Sequence, residues 1–292
     1  MAQKSVSIPE FLSMAVLSMS LLANMAVIAA AIVQLRLKHS LGLQIVLVVA
    51  TFDLFGPMLG TVQECFSHSA GYNVLTDHAI CQVFGAFHSV IPSVSATLVA
   101  LLALERSLRI YGRPLRPSTY FYIGLAVFIT SSLLAFLTAY TGGYSMTASR
   151  IVCSMSPRNS ALSTFHYYIF MMMLVVNAII ISCSYASIIR LRFTTALQLC
   201  SSGSLPPRSS NAFVLRAAIV ILSYLCLILP CFSLMAREAI SGQDLPYLES
   251  CFLAILLISL SLMNPFLLLL FHTSISKTLS WFLWRQFQPP RH

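Results

Sequence analysis

Long apolar runs alternate with short polar stretches along the chain, and the runs recur seven times, at about 11–35, 42–63, 80–105, 119–140, 164–189, 212–236 and 248–271. A helix needs about 20 apolar residues to cross a hydrocarbon layer roughly 30 Å thick, and each run is of that order. The polar outer faces that a water-soluble bundle requires are nearly missing from them. Membrane barrel strands would be shorter and would alternate apolar with polar positions, so the length of the runs predicts helices. After the seventh run, "HTSISKTLSWFLWRQF" sets Ile275, Leu279, Phe282 and Leu283 apart from Lys277 and Arg285. That is the pattern of a short amphipathic helix lying on a membrane surface. The expected fold is an all-α membrane protein: a seven-transmembrane helix bundle over 1–272, then an amphipathic helix and tail over 273–292.

Composition points the same way. The 292 residues are 58% hydrophobic and only 9% charged, with a mean hydropathy of +0.85, whereas soluble domains carry about 25% charged residues. The first run is longer than the apolar region of a cleaved signal peptide and has no small-residue cleavage site after it, so it reads as a retained span. No internal repeat and no second domain are visible. The one low-complexity stretch, "SSGSLPPRSS" at 201–210, reads as a loop between the fifth and sixth runs. The chain contains no N-x-S/T sequon, and nothing points to a glycosylated ectodomain.

Charge supplies the orientation. With the N-terminus outside, every Lys and Arg except Lys4, Arg150, Arg158 and Arg237 falls on the cytoplasmic side. The positive-inside rule therefore predicts an outer N-terminus and a cytoplasmic C-terminus. Of the acids, Glu10, Glu64, Asp77, Glu238, Asp244 and Glu249 fall outside, which leaves Asp53 and Glu105. Anionic lipid headgroups account for the net charge of +9, so membrane lipids are expected partners and nucleic acid is not.

Ionisable residues within hydrocarbon are costly and are functional candidates by default. Asp53 stands mid-span in "LVVATFDLFGP"; neighbouring hydroxyls or water would also satisfy its carboxyl. Glu105 and Arg106 close the third run. They lie 25 residues beyond Cys81, roughly 37 Å along a helix, and so at the opposite rim of the membrane. A lone Arg there reads as a headgroup anchor, but an anchor needs no adjacent acid. Of the eight Cys, none forms a C-x-x-C zinc pattern, and no His spacing makes a metal cage. Cys183, Cys226 and Cys231 read as buried apolar fillers, Cys81 and Cys153 fall on the oxidising side, and Cys200 on the reducing side.

Six features, in order and at matching depth, carry a family resemblance. They are Asn24 in "LLANMAV", Asp53 in "ATFDLF", Cys81 followed by Glu105-Arg106 in "LERSL", Tyr185 in "SCSYASIIRLR", Pro230 in "LILPCF", and Asn264-Pro265 in "LMNPF". In these the chain resembles the rhodopsin-like (class A) G protein-coupled receptors over nearly its whole length. It departs from them at Ile228, where the family usually has Trp, and at Leu268 and Ser107, where it has Tyr. Asn177 stands at the usual fifth-span Pro, and the fourth span lacks its Trp.

The resemblance implies a plasma-membrane receptor that passes an extracellular ligand signal to a heterotrimeric G protein, with no catalysis. Glu105 and Arg106, with Tyr185, would form the G-protein switch, the acid restraining the Arg in the closed bundle. Cys81 and Cys153 would form a disulfide; Cys65 with Cys251 is a second candidate pair. Asp53, Ser95, Ser261 and Asn264 match a sodium site, near Asn24 in the same polar core. Apart from that Na+, neither metal nor cofactor is expected. His88, His166, Tyr167, Phe170, Phe232, Met235, Arg237 and Glu249 lie near the outer ends of their spans and would line a ligand pocket, although packing or rim roles account for each taken singly. No Asp stands at the place of His88, against an aminergic ligand of the usual type, and no Lys in the seventh span, against retinal. A chemosensory, odorant-like receptor is the main alternative, since "SYASIIRL" and "MNPF" are similar to that group too. A viral receptor homologue is a further one. A transporter would show paired broken helices, which the runs do not.

Overall fold

The computed structural model describes residues 8–37, 40–70, 72–201, 209–271 and 275–280, with side chains left aside over 199–213. Its helices are α1 (Ile8–Leu37), α2 (Leu41–Ala70), α3 (His78–Ile110), α4 (Pro117–Tyr140), α5 (Ala161–Ser201), α6 (Ser209–Ser241) and α7 (Tyr247–Phe271), followed by a short α8 at 275–280. All seven long helices are long and apolar enough to cross a membrane. They outrun the apolar runs because a helix closes its own backbone hydrogen bonds in water as in lipid, and hydropathy marks only the part inside the hydrocarbon.

Local chemistry fixes the ends. Asp77 caps α3, its carboxylate accepting from the Ile80 amide at 3.1 Å. Pro117 opens α4, where its missing N–H leaves no bond unmade. Gly112 and Gly142 follow the last turns of α3 and α4 with φ of 70° and 69°, the left-handed conformation that ends a helix and that glycine adopts without strain.

The stretch 141–163, between the fourth and fifth apolar runs, contains a two-stranded antiparallel hairpin. Here β1 (Tyr144–Met146) pairs with β2 (Cys153–Met155) in the register Tyr144↔Met155 and Met146↔Cys153. The Cys81–Cys153 disulfide ties it to α3 across 72 residues, with Cα atoms 5.5 Å apart. Cys65 and Cys251 do not pair. Cys65 is exposed on α2, while Cys251 packs in a small apolar cluster with Ile151 and Ala254.

The helix α3 is the most enclosed of the spans and α4 the least. Large apolar side chains such as Phe121, Phe128, Leu133 and Phe136 of α4 face outward, which is stable only when the surrounding solvent is lipid. Cys183 and Cys226 share that outward exposure, contrary to the expectation that they fill the interior; only Cys231 of the three is buried.

Pro265 shows how a helix breaker becomes a joint. Lacking an N–H, it leaves the carbonyl of Ser261, four residues back, without its helical partner. Asn24 of α1 donates its amide to that oxygen at 3.2 Å and to the Ser20 carbonyl at 2.9 Å, joining α1 to α7. Beyond α7, Ile275 of α8 is fully buried while Lys277 is exposed, and Gln34 of α1 donates to the Thr278 hydroxyl at 2.5 Å. The short helix is present; the rest of the amphipathic pattern, with Phe282, Leu283 and Arg285, lies outside the described residues.

Candidate functional site

One face of α3 fastens the hairpin. Residues 81, 82, 85 and 89 fall on a common stripe by helical spacing, and each has a distinct role. Cys81 bonds β2 covalently. Gln82 takes both backbone groups of Tyr144, donating to its carbonyl at 2.7 Å and accepting from its amide at 3.0 Å. Gly85 gives way to the Tyr144 ring: a Cβ there would come within 2.5 Å of two ring carbons. Ser89 shares a 2.8 Å hydrogen bond with the Tyr144 hydroxyl. Burial pushes the Tyr144 phenol well above its ordinary value, so it stays protonated and bonded.

Beneath the hairpin is a cavity of about 110 Å³ between α1, α2, α3, α5, α6 and α7. Four of the eight predicted pocket residues line it: His88, Tyr167, Phe170 and Met235. The other four do not. His166 turns to α4, with Nδ1 3.0 Å from the Thr138 hydroxyl. Arg237 and Glu249 meet each other at the rim, α6 to α7, in a two-pronged ion pair with both contacts at 2.7 Å. Phe232 packs against the main core. Position near the end of a span gave depth but not facing, which is why half the residues miss the cavity. Sequence reasoning passed over Ser89 and Tyr144, and also Glu238, whose carboxylate accepts from the Tyr167 hydroxyl at 2.9 Å.

Deeper in the bundle, the predicted polar core comes together around Asp53. One carboxylate oxygen accepts from the Ser95 hydroxyl and the other from the Asn264 amide at 3.0 Å, and that amide also lies 3.0 Å from the Ser95 oxygen. A small cavity of about 10 Å³ touches Asp53, Ser95, Ser261 and Asn264, room for roughly one water-sized occupant. One member was missed. Tyr224 of α6, buried, donates its hydroxyl to Asn264 Oδ1 at 2.6 Å and so joins α6 to the core. A phenol inside the apolar run "ILSYLCLIL" was the available signal, since a buried Tyr hydroxyl takes a partner.

At the far end of α3, Arg106 donates to the Tyr185 hydroxyl of α5 at 3.3 Å. The acid beside it behaves otherwise than expected. Glu105 forms its ion pair with Arg109, one turn on, and not across to the neighbouring Arg106 as the resemblance implies. The reason is helical geometry: residues i and i+4 share a face, while i and i+1 point about 100° apart. The Glu105 side chain is 4% exposed and that of Arg109 55%. Ile228 and Leu268, in place of the usual Trp and Tyr, are both buried in the apolar core. Asn177, in place of Pro, donates to the Thr97 hydroxyl at 3.1 Å and ties α5 to α3.

A hairpin held by a disulfide over a cavity, a carboxylate at mid-bundle and an Arg–Tyr contact at the other end follow one another along α3. The model of the 7 transmembrane receptor (rhodopsin family) matches residues 23–268. The chain belongs to the rhodopsin family of receptors. It is thus a multi-pass membrane protein, and the family is one of receptors rather than enzymes. No curated protein matches the chain.

Proposed function

We propose that the protein is a plasma-membrane G protein-coupled receptor, with the hairpin end outside and the Arg106 end in the cytoplasm. The distribution of Lys and Arg supports this orientation. So does the disulfide, because disulfides persist on the oxidising side of a membrane. A ligand in the cavity beside His88 would favour one arrangement of the bundle over another, shifting an equilibrium that exists without it.

The observation that carries the reading is the contact between Arg106 and Tyr185. It is a cation-to-phenol bond at 3.3 Å between two helices at the end opposite the cavity, weak enough to be exchanged for contacts to a partner protein. Between the two ends, Tyr224 and Asn264 couple α6 to α7 and Asp53. Outward movement of α6 would have to break the 2.6 Å bond, so the core registers the state of the bundle.

A sodium ion suits the residues around Asp53. One carboxylate and several neutral oxygens form a hard donor set, and the small cavity has room for one ion. Asp53, Ser95, Ser261 and Asn264 would hold it, and its charge would compensate a carboxylate placed far from water.

The receptor reading is tested by recruitment of a panel of Gα subunits to the protein in living cells, without added ligand. Recruitment of at least one subtype above an empty-membrane control is expected. No recruitment of any subtype at confirmed surface expression would remove G protein coupling from the proposal.

A further inference from the structure

The cavity under the hairpin has an unusual polar inventory. No Lys or Arg lines it among the described residues, so nothing there would compensate a ligand anion. Most of its polar side chains are already satisfied by protein. Gln63 donates to the Ile151 carbonyl at 2.8 Å. Tyr144 is bonded to Ser89, and the Tyr167 hydroxyl, with its one proton, lies 3.0 Å from the Met235 carbonyl and 2.9 Å from the Glu238 carboxylate. Glu64 is engaged as well.

His88 is one exception; Gln63 Oε1, buried without a partner, is another, although that oxygen is sealed within the protein. The His88 ring lines the cavity, yet Nδ1 is sealed within the protein and has no hydrogen-bond partner, and among the described residues no bond to the ring is found. A sealed nitrogen without an acceptor is better left unprotonated than as an orphaned N–H, because buried N–H groups without partners are the rarer and costlier case. That places the proton on Nε2, the ring's remaining polar atom, and presents a single N–H donor to the cavity. Much of the remaining wall is carbon: Leu17, Ile91, Phe170, Met235, Leu253 and Leu257 close it from five helices, with Ser154 and Ser261 also bordering it.

The cavity of about 110 Å³ has room for several water-sized positions and so for a small molecule. We propose that this cavity binds a small, uncharged, mostly apolar molecule whose hydrogen-bond acceptor, a carbonyl or hydroxyl oxygen, meets His88. The proposal rests on the receptor reading only in taking this cavity as the ligand site. Cationic amines are the opposing class, since Glu64 and Glu238 also border the cavity. Both acids are engaged within the protein, so an amine would have to compete for them.

Four probes of one chain length separate the classes: octan-2-one, octan-1-ol, octylammonium and octanoate. Each is added to the full chain in lipid nanodiscs, and binding is read as the concentration dependence of the thermal unfolding midpoint. The readout does not involve a G protein, so binding without Gα recruitment would refute the coupling and leave the ligand class standing. The ketone and the alcohol are expected to raise the midpoint saturably, at concentrations where octylammonium and octanoate do not. His88→Phe should weaken the ketone roughly five- to tenfold, the worth of one hydrogen bond, and His88→Gln, which retains an N–H donor, should restore part of it. All four probes enter the lipid, and the ratio of native to His88→Phe cancels that contribution. A preference for octylammonium, equal binding by His88→Phe, or no saturable shift with any probe would overturn the proposal. Should His88→Phe fail to fold, the ranking of the four probes on the native chain decides the question alone.

Discussion

The two ends of α3 are held by different kinds of bond. Toward the hairpin, a disulfide, two hydrogen bonds from Gln82, the Gly85–Tyr144 contact and the Ser89 bond all fix one loop to one helix face. At the other end, Arg106 reaches Tyr185 through a 3.3 Å bond, Tyr111 donates to the Ser187 carbonyl at 3.1 Å, and Glu105 is paired with an Arg that is half exposed. Contacts of the first kind lose free energy steeply when displaced; those of the second kind are readily replaced by others. The difference assigns rigidity to the cavity end and adaptability to the end where a partner would dock, as local stability differs in proteins whose parts must move. The polar core lies between, with Tyr224 as its link to α6.

The largest effect should come from the rigid end. Cys81→Ser or Cys153→Ser removes a cross-link over 72 residues, and loss of about 2–5 kcal/mol is expected. Surface expression should collapse and the unfolding midpoint fall by many degrees; full expression of either variant would show that the hydrogen bonds alone hold the hairpin. Gly85→Val comes next. Its Cβ meets the Tyr144 ring at 2.5 Å, and with Tyr144 fixed on three sides the overpacking should cost about 1–3 kcal/mol. A thermal melt indistinguishable from the native one would mean that the hairpin yields, against the comparison.

In the core the effects should be smaller. Tyr224→Phe removes one hydroxyl and leaves Asn264 Oδ1 without that donor, worth about 1 kcal/mol. Because the bond joins α6 to α7, ligand-independent Gα activation should rise about fivefold while expression stays near native. Unchanged or lower basal activity would detach Tyr224 from the switch. Sodium should raise the unfolding midpoint of the native chain over potassium at equal ionic strength by a few degrees, and Asp53→Asn should abolish the difference. An equal response in both would remove the cation from the proposal. The smallest effect belongs to Glu105→Gln. Its partner Arg109 is half in solvent, and such pairs contribute about 0–1 kcal/mol, so basal activity should change less than fivefold. A larger rise would mean that Glu105 restrains Arg106 after all.

What the sequence discloses follows from the range of the interactions. Runs of about 20 apolar residues reveal spans because the bilayer imposes its thickness on every helix alike. Asp53 and Arg106 stood out because a charge at membrane depth is costly, while the Cys81–Cys153 pairing, present in the structure, came from the family resemblance. The hairpin was not: its strands are three residues each, and their position is set by Gln82 and Gly85, some 60 residues earlier. Facing within a span was equally hidden where both sides of a helix are apolar, so His166 and Phe232 turned from the cavity and Cys183 and Cys226 toward lipid. The Glu105–Arg109 pair, by contrast, was there to be read, since Glu followed by Arg four residues later is a favoured helical spacing.

The central claim is that the adaptable end of α3 engages a G protein through Arg106. Its most direct measurement is the rate of guanine-nucleotide exchange on the best-recruited Gα, without ligand, for the native chain and Arg106→Ala at matched amounts in nanodiscs. The account predicts that Arg106→Ala reduces exchange to the level of empty nanodiscs while its unfolding midpoint stays within a few degrees of native, because the 3.3 Å bond to Tyr185 is a long one. Exchange by Arg106→Ala at the native rate would contradict the claim and leave Arg106 as a membrane anchor.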